Sequence, residues 1–375
     1  MIEKGKLYYF LRSGSQFFDF YKEYLAQDGK NILFILGLGF DPRTTNCLKT
    51  LLDIKPKSNL DCMVFNYSDD FNGREPMQTW LKQNESTLNH LIPKSKWKTK
   101  QIQMMSGKEH IASIEASKKI EKDDLSGYTD IILDISAMPS SVYFPIVRKI
   151  LDWIKSDELK LENGKKINFH MVLSENAHLD SLIKEVGINE TVTYMHKFVG
   201  TLQSEAKQIL RKVWIPLLGE KKGTQLEKIN EEISPKEVSP IFPMPSKDPY
   251  RSKRLLLEHR SFLFDTLVMD ARDFIYANEQ NPFEVYRQIY QTAVGYYDSF
   301  DPLGGCHVVI SPLSSKLMCV GALLAAYELQ SDGMNVGIVH VENQTYDMEN
   351  IKDVDQETKK SVQFTMWLAG DCYAD

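Results

Sequence analysis

Ile131-Ile-Leu-Asp-Ile-Ser136-Ala-Met-Pro-Ser140-Ser141 and His307-Val-Val-Ile-Ser311-Pro-Leu-Ser314-Ser315-Lys316 are two versions of one stretch, an apolar β-branched run closing in a serine-rich turn. Runs without polar alternation belong to strands buried on both faces, as in parallel sheets. Each turn leads into a segment of helical period, so each stretch reads as the strand-to-helix joint of a β-α unit.

The copies agree outward from this joint. Downstream, Asn168-Phe-His-Met-Val172-Leu-Ser-Glu175-Asn176 with Asp180 matches Asn335-Val-Gly-Ile-Val339-His-Val-Glu342-Asn343 with Asp347, one N-x-x-x-V-x-x-E-N-x-x-x-D pattern. Upstream, Asn31-Ile-Leu-Phe-Ile-Leu36 runs into the turn Gly37-Leu-Gly-Phe-Asp-Pro-Arg43 and a helix through Leu48 and Leu52. Val213-Trp-Ile-Pro-Leu-Leu218 does the same through Gly219-Glu-Lys-Lys-Gly223 and a helix through Leu226 and Ile229. Between these landmarks, Phe65–Asp70 and Phe242–Asp248 both close in Ser-x-Asp, at Ser68 and Ser246. A short strand follows each, at Gln101–Met104 and Phe274–Tyr276. Apolar strands alone would not reproduce a Glu-Asn pair and a later Asp in register, and a period this long is a domain repeat, not a solenoid.

The expected fold is therefore α/β, with two tandem Rossmann-like units, each a mainly parallel sheet flanked by helices. The expected organisation is an extra element over residues 1–30, a first unit over 31–200 and a second over 201–375. Thr191–Gln208 reads as a structured connector, and Ser361–Leu368 as the final strand. A chain of 375 residues, 42% hydrophobic, accommodates two domains at about 150 residues each.

Met1–Phe10 lacks the basic start and apolar stretch of a secretory signal, and the longest apolar runs, such as Leu317–Tyr327, fall short of the ~20 residues of a bilayer span. The expectation is a soluble, cytoplasmic protein with no membrane partner. A net charge of −6 without long Lys/Arg runs argues against duplex nucleic acid as a partner. Cys47, Cys62, Cys306, Cys319 and Cys372 form no C-x-x-C spacing, which indicates neither a metal site nor a disulfide framework. No motif specifies a cofactor.

In doubly wound sheets ligands bind beyond the carboxyl ends of the strands, which is where the repeated polar residues fall. A serine-rich turn before a helix offers hydroxyls, free backbone N–H groups and the positive dipole end to a phosphate or carboxylate. Ser136, Ser140 and Ser141 in the first unit and Ser311, Ser314, Ser315 and Lys316 in the second are therefore candidate ligand contacts. The competing role is helix capping, which accounts for one serine per turn. Gly37 and Gly39 lack the third glycine of a dinucleotide fingerprint and read as a tight turn, with Asp41 and Arg43 as exposed loop candidates. Gly219 and Glu220 are their counterparts. Glu175 and Glu342 could accept from a ribose hydroxyl, with Asn176 and Asn343 beside them as contacts or caps. His170 and His340 read as filler within strands, and no nucleophile triad, P-loop or metalloprotease template is present. Phe242–Arg251, with its prolines, reads as a rigid loop over the sheet edge.

The serine turns of a unit used twice resemble the CRISPR-associated Rossmann-fold (CARF) sensor domains of bacterial antiviral defence. The resemblance rests on Ser136–Ser141 and Ser311–Lys316 within residues 31–347, with no appended nuclease motif. It implies binding of a nucleotide second messenger across paired units, with control of a partner or effector as the output, and the chain reads as a binder of a nucleotide or phosphorylated small molecule more than as an enzyme. Gly37–Arg43 also looks like the first motif of S-adenosylmethionine-dependent methyltransferases, which implies an enzyme with Asp69 or Asp70 on the ribose and Asp134 near the target. A ligand-free interaction module, with the serines acting as caps, is the third expectation.

Overall fold

The computed structural model describes residues 10–54, 59–68, 77–107, 109–161, 163–200, 210–347 and 354–373. The main strands, in chain order, are β1 (Phe10–Ser13), β2 (Asn31–Leu38), β3 (Asn59–Tyr67), β4 (Trp97–Ile102), β5 (Asp130–Asp134), β6 (Asn168–Glu175), β7 (Arg211–Leu217), β8 (Ile241–Pro243), β9 (Ile275–Ala277), β10 (Cys306–Pro312), β11 (Val336–His340) and β12 (Val362–Ala369). The α-helices are α1 (Ser15–Tyr24), α2 (Asn46–Asp53), α3 (Met77–Leu91), α4 (Ala112–Lys119), α5 (Ser140–Lys155), α6 (Ala177–Leu182), α7 (Gly223–Ile233), α8 (Arg251–Glu258), α9 (Pro282–Phe300), α10 (Lys316–Ser331) and α11 (Val354–Lys359).

Two compact units result, one formed by residues 1–187 with 344–375 and the other by 188–343. The first sheet runs β1-β12-β6-β5-β2-β3-β4, and the path of the second contains β11-β10-β7-β8-β9. Strands β4-β3-β2-β5-β6 are mutually parallel, as are β9-β8-β7-β10-β11. Taken in order of appearance, both blocks read 3-2-1-4-5, the half-sheet order of doubly wound nucleotide folds. The fold is thus α/β with parallel-rich sheets flanked by helices. The strand order reverses between β2 and β5 in one unit and between β7 and β10 in the other.

Burial follows from composition. Every residue of β2 after Asn31 is buried, as its unbroken apolar run requires, and α2 packs Cys47, Leu48 and Leu51 onto the sheet. The second core gathers Trp214, Leu226, Ile229, Phe242, Val309 and Val339. No described helix is long and apolar enough to cross a membrane.

The structure corrects the expected boundaries. The terminal strand β12 does not complete the second unit but lies antiparallel on β6 of the first, with Val362 opposite Glu175 and Phe364 opposite Leu173. All eight residues of β6 are buried, and β12 pairs backbone groups that an open edge would leave exposed. Strand β1 pairs with β12 in turn, and α1 buries Phe17, Tyr21 and Tyr24 in the first core, so the described part of residues 1–30 is integral to that unit. The changeover falls at residue 188 instead of 200, because Thr193–Tyr194 is an antiparallel strand on β11. The helical part expected before Gln208 lies outside the described residues. The strand expected at Gln101–Met104 is β4, which begins earlier and places Lys98 and Lys100 at alternate positions on a sheet edge.

Candidate functional site

At the carboxyl edge of the second unit, β7 delivers Gly219 directly against the turn after β10. A Cβ at Gly219 would stand 2.1 Å from the Leu313 carbonyl oxygen. Glycine is needed here for close approach and not for a positive φ, since Gly219 is absent from the left-handed region that Lys221 occupies. This contact sets Gly219 against the backbone of Leu313 and Ser314, while the next residues turn toward α8, where the Lys221 N–H donates to Glu258.

Salt bridges then tie together the loops after β7, β8 and β9. Arg251 donates Nε and Nη2 to the two oxygens of Glu220, both at 2.7 Å, and Nη1 to Glu279 Oε1 at 2.5 Å. Partial burial would raise the Glu220 carboxyl, but the two bonds from Arg251 hold it below the usual carboxylate range. His259 Nε2 lies 2.9 Å from the Gly219 carbonyl oxygen. Arg251, Glu279 and His259 carried no sequence signal beyond proximity to the proline-rich loop, because their partners are distant in the chain.

The serine turn is only partly absorbed by the fold. Ser311 Oγ accepts the Trp214 indole N–H at 2.8 Å, which gives this buried serine a partner in the core. Ser314 Oγ lies 3.2 Å from Met318 Sδ. Ser315 is the N-cap of α10, yet its side chain makes no cap bond and its buried Oγ has no partner among the described residues. Lys316 is the first residue of the helix and is half-buried. Capping therefore does not account for Ser314 and Ser315.

Beside this turn, at the end of β11, His340 Nε2 lies 3.0 Å from Glu342 Oε1. Asn343 Oδ1 accepts from Gln225 Nε2 at 3.1 Å, and Gln225 also donates to the Val341 carbonyl at 3.2 Å. The structure thus brings Gly219, Glu220, Ser314, Ser315 and Lys316 to one edge, with Glu342 and Asn343 at the end of the neighbouring strand. The parallel with the first unit ends there, since Asn343 opens a strand, Asn343–Asp347, where Asn176 opens a helix.

The corresponding edge of the first unit is closed by its own side chains. A Cβ on Gly37 would lie 2.0 Å from Tyr67 Oη and 2.8 Å from Met138 Cγ, so the glycine admits the tyrosine, whereas Gly39 has ordinary clearance. Arg43 is not exposed as expected but 2% accessible. It donates to Asp41 through Nε at 2.9 Å and Nη2 at 2.6 Å, and Nη2 reaches Asp180 Oδ1 at 2.7 Å. Asn84 of α3 donates to the carbonyls of Gly39 and Asp41 at 2.8 and 2.9 Å. Ser136 Oγ accepts from the Ser174 N–H, and the Ser136 N–H donates to Asp134 Oδ1, each at 2.8 Å. Burial and the charge of Asp134 push the Tyr67 hydroxyl and the Cys47 thiol up, so both stay protonated.

Ser140 and Ser141 open α5 behind Pro139, which occupies the N-cap, and Ser141 Oγ is buried without a partner among the described residues. Glu175 is buried within β6. Asn176 caps α6, accepting from His178 and Leu179 N–H at 3.0 and 3.1 Å. Asp69 and Asp70, expected on a ribose in the methyltransferase resemblance, lie outside the described residues. Among the described residues no group of three or more His, Cys, Asp or Glu could hold a metal ion.

Neither a protein-family model nor a curated protein matches the chain. Among solved structures it is similar to a putative universal stress protein from Pseudomonas aeruginosa UCBPP-PA14, at 11% identity and a TM-score of 0.23, over 88% of this chain and 96% of that one. It is also similar to a functionally unknown protein from Pseudomonas aeruginosa PAO1, at 9% identity and a TM-score of 0.22, over 87% of this chain and 95% of that one.

Proposed function

We propose that the chain is a nucleotide- or phosphorylated-ligand-binding module whose site is the carboxyl edge of the second unit, acting as a sensor of the CARF kind that signals to a protein partner. The observation that carries this reading is the start of α10. A 16-residue helix opens on Ser314-Ser315-Lys316 with no side chain capping its first turn, at the strand-order reversal beside β7. The N–H groups of a first turn that its N-cap side chain leaves uncapped, the helix dipole, two hydroxyls and a lysine there favour a bound oxyanion. Lys221 and Lys222 on the abutting loop add positive charge. The first unit offers an uncapped helix as well, but Asp41, Asp134, Glu175 and Asp180 stand at its carboxyl edge with Arg43 already bonded to Asp41 and Asp180, a poor setting for an anion.

Thermal melting of the full chain with inorganic phosphate, mono-, di- and cyclic nucleotides or S-adenosylmethionine tests this. A ligand at about 100 times its Kd adds ~2.7 kcal/mol, a rise of about 5–10 °C for a unit of this size. The shift should disappear in a Ser314→Ala/Ser315→Ala variant. No stabilisation by any phosphate compound at millimolar concentration overturns the proposal, and stabilisation by S-adenosylmethionine alone favours the enzyme.

A further inference from the structure

We propose that His340, beside Glu342, is a second arm of this site and accepts a hydroxyl of the ligand whose phosphate rests on α10. The ligand class is then a hydroxylated phosphomonoester, a sugar phosphate or ribonucleotide, and not a bare oxyanion. The inference rests on the phosphate reading of α10.

The register of the sheet places His340. Val308 pairs with Val336 and Ile310 with Ile338 in the parallel ladder of β10 and β11. Continuing that register by two residues sets His340 beside Pro312 on the same face, because side chains alternate with period 2. Pro312 touches the first turn of α10, since its carbonyl oxygen lies 3.3 Å from Cys319 Sγ and the Cys319 N–H donates to the Ser315 carbonyl at 2.9 Å. His340 therefore stands one strand away from the helix start where Ser315 Oγ has no partner. The opposite face is filled, with Ser311 bonded to Trp214 and with Val339 and Val341 in the core.

Chemistry fixes what His340 offers. Its Nε2 lies 3.0 Å from Glu342 Oε1, and in the tautomer that carries the proton on Nε2 the Nδ1 lone pair is an acceptor. His340 is 6% exposed, and Nδ1 is buried without a partner among the described residues. Buried polar atoms are almost always paired, and an acceptor beside an oxyanion cradle suits a ligand hydroxyl.

Two substitutions separate the ring nitrogens. Asn at 340 keeps an acceptor near the place of Nδ1, whereas Gln keeps only the reach of Nε2 toward Glu342. In calorimetric titrations of the full chain, ribose 5-phosphate should bind about tenfold more tightly than inorganic phosphate, the worth of one well-made hydrogen bond. His340→Asn should keep that preference within about threefold, and His340→Gln should abolish it while leaving affinity for inorganic phosphate unchanged. If His340→Gln does not fold, Glu342→Gln, which removes the carboxylate 3.0 Å from Nε2, should cut the preference at least about threefold. A preference retained in His340→Gln, or in Glu342→Gln where it is the variant used, means that Nδ1 is served by water only, and overturns this inference while phosphate binding at α10 stands. A wild-type chain that binds neither compound overturns the phosphate reading beneath it.

Discussion

Replacing Arg43 by methionine removes a guanidinium while keeping most of its apolar volume. Burial alone would depress the Arg43 pKa, but Asp41 and Asp180 together hold it well above the ordinary value, so the group is charged at every working pH. Removing one partner of a buried ion pair costs ~3–5 kcal/mol because the other charge is left uncompensated. Asp180, 44% exposed, can rehydrate, and Asp41 keeps the backbone N–H of residue 43 at 2.9 Å. Those two facts place the loss at the lower end, about 3 kcal/mol. Amide exchange read by mass spectrometry resolves the units separately. Peptides from β2 and α2 should exchange roughly two orders of magnitude faster, and peptides from β7 should not change. Acceleration of β2 by less than about tenfold would show that the triad behaves as a solvated surface pair, and the closed edge inferred for the first unit would be wrong.

Gly37→Ala should destabilise the first unit by about 1–3 kcal/mol through overpacking, and Tyr67→Phe, which removes the oxygen 2.0 Å from the new Cβ, should restore part of that loss in thermal melts. Equal melting of Gly37→Ala and wild type would mean that Tyr67 does not close the turn. Burial, aided by the charge of Lys30, lowers the His170 pKa from 6.5 to about 3. Asp130, 4.0 Å away, does not offset this because Tyr24, Thr129 and Lys30 already engage it. The unfolded state therefore binds the proton first, and stability is lost as pH falls below 6.5, at about 1.4 kcal/mol per unit until the folded pKa is reached. Urea unfolding at pH 7 and pH 5 should show roughly 2 kcal/mol of this dependence disappearing in His170→Gln. An unchanged pH slope in that variant would place the titration elsewhere.

The presence of the parallel strands was legible because buried strands announce themselves as unbroken apolar runs, as at Ile131–Leu133 and Val308–Ile310. The placement of β12 was not, because an antiparallel strand that returns to an earlier edge is fixed by partners such as His170 and Trp367, whose rings stack 4.7 Å apart across a long stretch of chain. The same holds for the site. Serines before a helix were visible, but the division of labour among them was not. Ser136 and Ser311 occupy matching positions, and only the packed structure shows one serving the Ser174 amide and the other the Trp214 indole. Arg43 looked like an exposed loop residue because its second partner, Asp180, lies far along the chain.

Each unit places one arginine between two carboxylates at its carboxyl edge, but what each arginine joins differs. Arg43 ties the loop after β2 to the helix after β6, and with Tyr67 against Gly37 it shuts the edge. Arg251 ties the loops after β7, β8 and β9 to one another through Glu220 and Glu279, and Ser315 and Lys316 stand at the head of α10. A common strand order thus yields one edge pinned by Arg43 between Asp41 and Asp180 and one whose loops are braced by Arg251 between Glu220 and Glu279. If the start of α10 receives an anion as proposed, replacing Arg251 should disturb the loops around it more than the helix start itself.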